Sequence, residues 1–152
     1  MPMMLEIITA ERQVFSDEVD MVVAPGIDGQ LGILPRHAPL MTMLKPGALT
    51  VRKAGEEDMY VAVSGGFMEV LGNRVSILAD ACERSDEIDE ERAQQAVQRA
   101  QERLANRGDD MELEREMASL RRAQVRVNLV RRRRPRGREA DAHAATSDRL
   151  EQ

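Results

Sequence analysis

The stretch ERSDEIDEERAQQAVQRAQERLA, residues 83–105, marks a change of period in this chain. Asp86 and Asp89 are residue types that open a helix, because a short carboxylate accepts the free N–H groups of a first turn and suits the positive end of the helix dipole. Ala93, Ala96, Val97, Ala100 and Leu104 then recur at steps of three and four, which predicts a helix with one narrow apolar stripe. Arg92 and Arg99 lie one heptad apart and share a direction near the edge of that stripe. Asn106 and Gly108 are suited to the left-handed conformation that ends a helix. A second helix is expected from about Asp110 to Arg132, with Leu113, Met117, Leu120 and Val127 as its stripe and Val125 and Leu129 beside it. Two amphipathic helices joined by so short a connection prefer to pack antiparallel. The first stripe is mostly alanine, so little apolar area is buried and the hairpin is expected to open readily.

Before this stretch the period is two. Residues 3–8 (MMLEII) and 19–24 (VDMVVA) read as strands, and residues 40–44, 48–52, 59–64, 67–71 and 75–78 alternate or run apolar. Pro25-Gly26, Asp28-Gly29, Pro46-Gly47, Gly65-Gly66 and Gly72-Asn73 supply the turns, and residues 53–58 (KAGEED) form a polar hairpin tip. Pro35 and Pro39 pin Arg36, His37 and Ala38 in a loop. Roughly eight to ten short strands at this spacing indicate an all-β sandwich or barrel. It would close one small core within residues 1–84.

Apolar residues are 42% and charged residues 32%, as expected of a soluble chain with a modest core. Aromatics at 2% leave almost no platform on which bases or sugars stack. No apolar run approaches the roughly 20 residues that cross a bilayer, and no basic-then-apolar leader opens the chain, so export is not expected. Cys82 is alone, which excludes an internal disulfide or a multi-cysteine metal site and fits a reduced, cytosol-facing compartment. No proton-transfer pair or metal set is visible, so no catalytic or metal-binding residue is assigned. The net charge of −5 hides six arginines within residues 131–138.

The blocks DGQLGILPRHAPLMTMLKPG and YVAVSGGFMEVLGNRVSILADACE, followed by IDEERAQQA, resemble the epsilon subunit of the F-type (rotary) ATP synthase. The resemblance runs in order over roughly residues 3–130, and three separated blocks agree in sequence and spacing. It implies an α+β chain: a ten-stranded β-sandwich (residues 1–84), an antiparallel two-helix hairpin (85–134) and, beyond the family's usual end, a basic tail (135–152) expected to be disordered. It also implies a non-catalytic central-stalk subunit beside gamma and on the c-ring, held peripherally at the cytoplasmic face of a bacterial plasma membrane. In the GQLGILPRHAP block, Gln30 and His37 are the expected polar contacts to these partners. Gln30 stands where many members carry an acid.

Members of the family often open the first helix with I/L-D-x-x-R-A, part of an ATP site in the folded hairpin. Here the pattern is Ile88-Asp89-Glu90-Glu91-Arg92-Ala93. Arg122 and Arg126 match the second-helix arginines of that site, Glu83 matches the acid before the hairpin, and Arg99 is placed to face the nucleotide. Guanidinium forks suit phosphate oxygens and a carboxylate accepts from ribose or adenine donors, while no Gly-rich phosphate loop is present. ATP is therefore expected as a regulatory ligand without hydrolysis, and no cofactor is required. The alternative for Asp89 and Arg92 is a pair within the first turn.

In resembling proteins the helices also extend along gamma, and basic residues of the second helix meet an acidic segment of the beta subunits to hold back ATP hydrolysis. Arg115, Arg121, Arg122, Arg126 and Arg131, Arg132, Arg133 and Arg134 are the candidates. Two other readings stay open: a stand-alone ATP-responsive binding domain, and an arginine-rich nucleic-acid adaptor. Scarce aromatics and an acidic chain argue against nucleic acid as a partner. The cluster also suits anionic lipid.

Overall fold

Alternating inward and outward residues build a β-sandwich from β1 (Met3–Ile8), β2 (Gln13–Val19), β3 (Met21–Gly26), β4 (Gly29–Ile33), β5 (Leu40–Leu44), β6 (Gly47–Arg52), β7 (Met59–Val63), β8 (Gly66–Leu71), β9 (Arg74–Ala79) and β10 (Cys82–Arg84). Two helices follow, α1 (Glu90–Ala105) and α2 (Asp110–Arg133). The computed structural model describes residues 1–106 and 110–133. Gly108, Arg134 and the expected tail 135–152 lie outside the described residues.

One layer has the order β10-β7-β6-β3, with β4 on β3; the other is β5-β8-β9-β1-β2. They join where Gly26 of β3 pairs with Leu44 of β5. Only β1 and β9 pair in parallel. Between the layers Leu5, Ile7, Val22, Ile33, Leu49, Val61, Met68 and Ile77 are fully buried. Far from the Gly26–Leu44 join, polar contacts tie the layers. Lys53 Nζ sits 2.8 Å from Asp17 Oδ2, and the Ala54 amide donates to Asp20 at 2.6 Å.

β6 and β7 are covered on both faces. Leu49, Val61 and Val63 point into the sandwich, while Ala48, Tyr60 and Ala62 point outward against the helices. The outward residues form a second, smaller core with Ile88, Ala93, Val127, Leu129 and Val130. Asp89 caps α1, its Oδ1 accepting from the Arg92 amide at 3.0 Å.

Several expectations are corrected. β2, β4 and β10 were not located by period: β2 is a largely polar strand at the end of its layer, β4 carries two glycines, and β10 is three residues held by β7. Residues 29–33 are therefore a strand paired with β3 rather than the start of a loop. Asn106 ends α1 at φ −109°, not left-handed, because its amide reaches Glu102 and Arg103 carbonyls and its side chain donates to Glu102 O at 3.1 Å. In α2 the buried positions are Ala123, Val127, Leu129 and Val130, whereas Met117 is exposed. The last turns of α2 lie on the sheet as well as on α1, and that contact selects a different face.

Candidate functional site

β10 pairs with β7 so that Glu83 sits opposite Ala62, at the rim of a hollow of about 370 Å³ between this sheet edge and the helices. Small side chains (Ala62, Ala96, Ala123) make the room, and Ser64, Ser119 and Cys82 add polar atoms. Arg126 enters from α2, its Nη2 donating to Glu83 Oε1 at 3.0 Å. Its Nε lies 2.8 Å from Glu83 Oε2, in a geometry too bent for a hydrogen bond, so that contact is purely ionic. Arg122, one turn earlier, lines the same hollow and has no ion pair among the described residues. A guanidinium with nothing to neutralise it, beside a paired one and small apolar walls, suits a phosphate attached to a compact organic body. Burial raises the pKa of the Cys82 thiol there, so it stays protonated at neutral pH.

The remaining residues expected at a nucleotide are placed differently. Ile88 and Ala93 are buried in the second core against Ala62. Asp89 is the helix cap, and the exposed Arg92 guanidinium stands 3.9 Å from it. Arg99 borders a separate hollow of about 540 Å³ toward the far end of the hairpin, shared with Arg115 and closed by Arg103 and Glu116 at 3.4 Å. The structure thus brings Glu83, Arg122 and Arg126 together and leaves Arg92 and Arg99 outside that hollow.

Gln30 and His37 are also separated. Gln30 begins β4 and borders a hollow under the last turns of α2, with Lys45 and Arg132. His37 lies beyond the other end of that strand, roughly 10 Å of extended chain away. Its Nδ1 is 2.7 Å from the Ala38 carbonyl and its amide donates to Leu34 O, so the half-buried ring is engaged with its own loop. Arg36 in that loop has φ 65°, and its amide donates to Asn73 Oδ1. Arg121, Arg131 and Arg132 are exposed.

Two features were missed by period and motif. The outer face of the layer without helices carries a bare apolar row: Met43 pairs with Phe67, Phe67 with Leu78, and Leu78 with Ile8. Met43, Phe67 and Leu78 are each about half exposed. Alternation in GFMEVL already turned Phe67 outward. The second is a clasp on the linker before α1. Arg12 donates from Nη2 to Glu87 Oε2 at 3.0 Å and from Nη1 to Oε1 at 3.5 Å, while the Arg84 amide donates to the same carboxylate. These bonds, Arg12's first, hold the Glu87 carboxyl below its usual range.

Two family models match in tandem. The beta-sandwich domain of the ATP synthase delta/epsilon chain covers residues 2–85, and the long alpha-helix domain of the same chain covers residues 86–131. The ATP synthase epsilon chain of Herpetosiphon aurantiacus is 55% identical over 136 residues, 90% of this chain and 99% of that one. That of Chloroflexus aurantiacus is 66% identical over 96 residues, 63% of this chain and 68% of the other. Among solved structures, a chain of the Euglena gracilis mitochondrial ATP synthase matches with TM-score 0.72 at 22% identity, over 81% of this chain and 78% of its own. One from the central stalk and c-ring of the Tetrahymena thermophila enzyme matches with TM-score 0.59 at 15% identity, over 86% and 97%. At those identities the likeness to the solved structures is one of fold.

Proposed function

The chain belongs to the delta/epsilon family of ATP synthase subunits, as an epsilon chain of the F-type enzyme, and on that premise we propose that it is a non-catalytic rotor subunit whose hairpin restrains ATP hydrolysis. The sandwich would transmit c-ring rotation during ATP synthesis, offering the bare row of Met43, Phe67 and Leu78 to gamma and the His37 loop to the c-ring. The assembly lies at the cytoplasmic face of a bacterial membrane, reached through the complex; no helix among the described residues is long and apolar enough to cross one.

The observation that carries this reading is the way the arm is attached. The hairpin touches the sandwich through its own six-residue core and not through the core between the layers. At about 25 cal/mol per Å² of apolar burial, so small a cluster is replaceable by burial against another partner. Released, α2 would bring Arg115, Arg121, Arg122, Arg126 and Arg131–Arg134 to an acidic segment of the beta subunits. ATP at Glu83, Arg122 and Arg126, with Asp89 and Arg92 at the helix opening, would favour the docked arm by binding that state better. Reaching Arg99 as well would require the hairpin to shift.

The test compares ATPase rates of the catalytic core carrying the full chain or a version stopped at Ser85. Faster hydrolysis with the shortened chain is expected, and equal rates would remove the inhibitory role. Equilibrium dialysis of ATP with wild type and Arg126→Ala tests the ligand separately, with at least a tenfold loss expected from removing one charge-assisted contact.

A further inference from the structure

Gln30, Lys45, Asn128 and Arg132 border a hollow of about 340 Å³ where the last turns of α2 pass over the β3–β4 hairpin and the turn between β5 and β6. Its apolar lining includes Pro25 and Leu129. The walls are anchored. The Lys45 amide donates to Pro25 O at 3.0 Å, Gln30 is paired with Pro25 across the hairpin, and Leu129 is fully buried. Neither Lys45 nor Arg132 has an ion pair among the described residues, and the side-chain amides of Gln30 and Asn128 have no hydrogen-bond partner there. Docking of the hairpin therefore sets two uncompensated cations around one hollow, with exposed Arg131 next along the helix. Repulsion between them opposes docking unless an anion sits between. The negative end of the α2 dipole, about half a charge, is outweighed by these whole charges.

We propose that this hollow binds a phosphate group, and that it exists only while the hairpin is docked. A phosphate carries about −1.5 to −2 at neutral pH, which matches two cations; a carboxylate would leave one uncompensated. The amides of Gln30 and Asn128 supply neutral donors for the remaining oxygens. Val125 stands between this hollow and the one holding Glu83, Arg122 and Arg126, so the two sites occupy opposite flanks of α2. Because half of the site is sandwich and half is helix, a bound phosphate stabilises the docked arm by mass action. It also holds Arg132 away from any acidic partner of the released arm. The site depends on the docked arrangement and not on the nucleotide reading.

Inorganic phosphate titrated into the full chain at constant ionic strength, followed by amide NMR, tests this. Saturable shifts are expected at Lys45, Asn128 and Arg132. Lys45→Ala and Arg132→Ala are expected to weaken them at least tenfold, Lys45→Arg to retain them, and Arg36→Ala to leave them unchanged. Sedimentation with anionic or neutral phospholipid vesicles separates a headgroup from soluble phosphate as the source. Recruitment by anionic vesicles that is lost in Lys45→Ala supports a headgroup. The proposal is overturned if neither probe binds saturably, if both cation substitutions leave binding intact, or if the shifts centre on Glu83 and Arg122. The last result would move the phosphate to the nucleotide hollow, while failure of ATP binding there would leave this site standing.

Discussion

At Gly66 the backbone and its neighbours leave no room for choice. Its φ is +132°, and a Cβ would fall 2.1 Å from the Leu78 carbonyl oxygen on β9, so both conformation and contact demand glycine. Gly66→Ala is expected to destabilise the sandwich by about 3 kcal/mol or more, read from the urea midpoint. An unchanged midpoint would mean that β8 and β9 separate freely at that pair. Glu83 and Arg126 illustrate the opposite situation, in which each residue is ordinary and only their meeting matters. Forty-three positions separate them, and no local pattern announces the pair. Each was legible as a candidate only through family resemblance. The same resemblance gathered Arg99 with them, and the docked hairpin sets it in another hollow.

Among the elements, α2 carries the docking. Leu129 is fully buried in the second core and has no part in the first. Leu129→Ala is expected to weaken docking by about 2–4 kcal/mol through lost burial and the cavity left behind. Cys82 reports this directly, because it lies in the hollow that the helices roof and its thiol is kept protonated by burial. Alkylation of Cys82 at fixed pH should quicken in Leu129→Ala while the sandwich unfolds at the wild-type urea concentration. If the whole chain instead loses stability in step, arm and sandwich are a single cooperative unit. The period of α2 named Leu129 and Val127 but ranked Met117 with them. A 24-residue helix offers several faces of similar apolarity, and which one is buried depends on what lies beneath it.

At the scale of the whole molecule, the seam of the sandwich and the linker to the hairpin are tied by ion pairs at the surface. Lys53 holds the Asp17 carboxyl below its usual range, and Arg12 does the same for Glu87. A carboxyl depressed in the folded state adds stability above its unfolded pKa, about 4, and that contribution is lost as pH falls through the lower folded value. Urea midpoints should therefore drop as pH goes from about 5 to about 3, by a small amount because these groups are exposed. Asp17→Asn and Arg12→Ala should each flatten that dependence. Retention of the full slope in both variants would assign it to other carboxylates.

The sequence by itself determined that short strands end near residue 84 and that a helical hairpin follows, and its blocks identified the family. Side-chain period and turn residues are local properties, written within a few positions of where they act. Only the tertiary structure decided that β6 and β7 are covered on both faces, that Phe67 lies bare between Met43 and Leu78, and that Lys45 faces the same hollow as Arg132. Each of these depends on which strands become neighbours and on which helix face docks. Long-range packing settles both, and it leaves no mark in the local period.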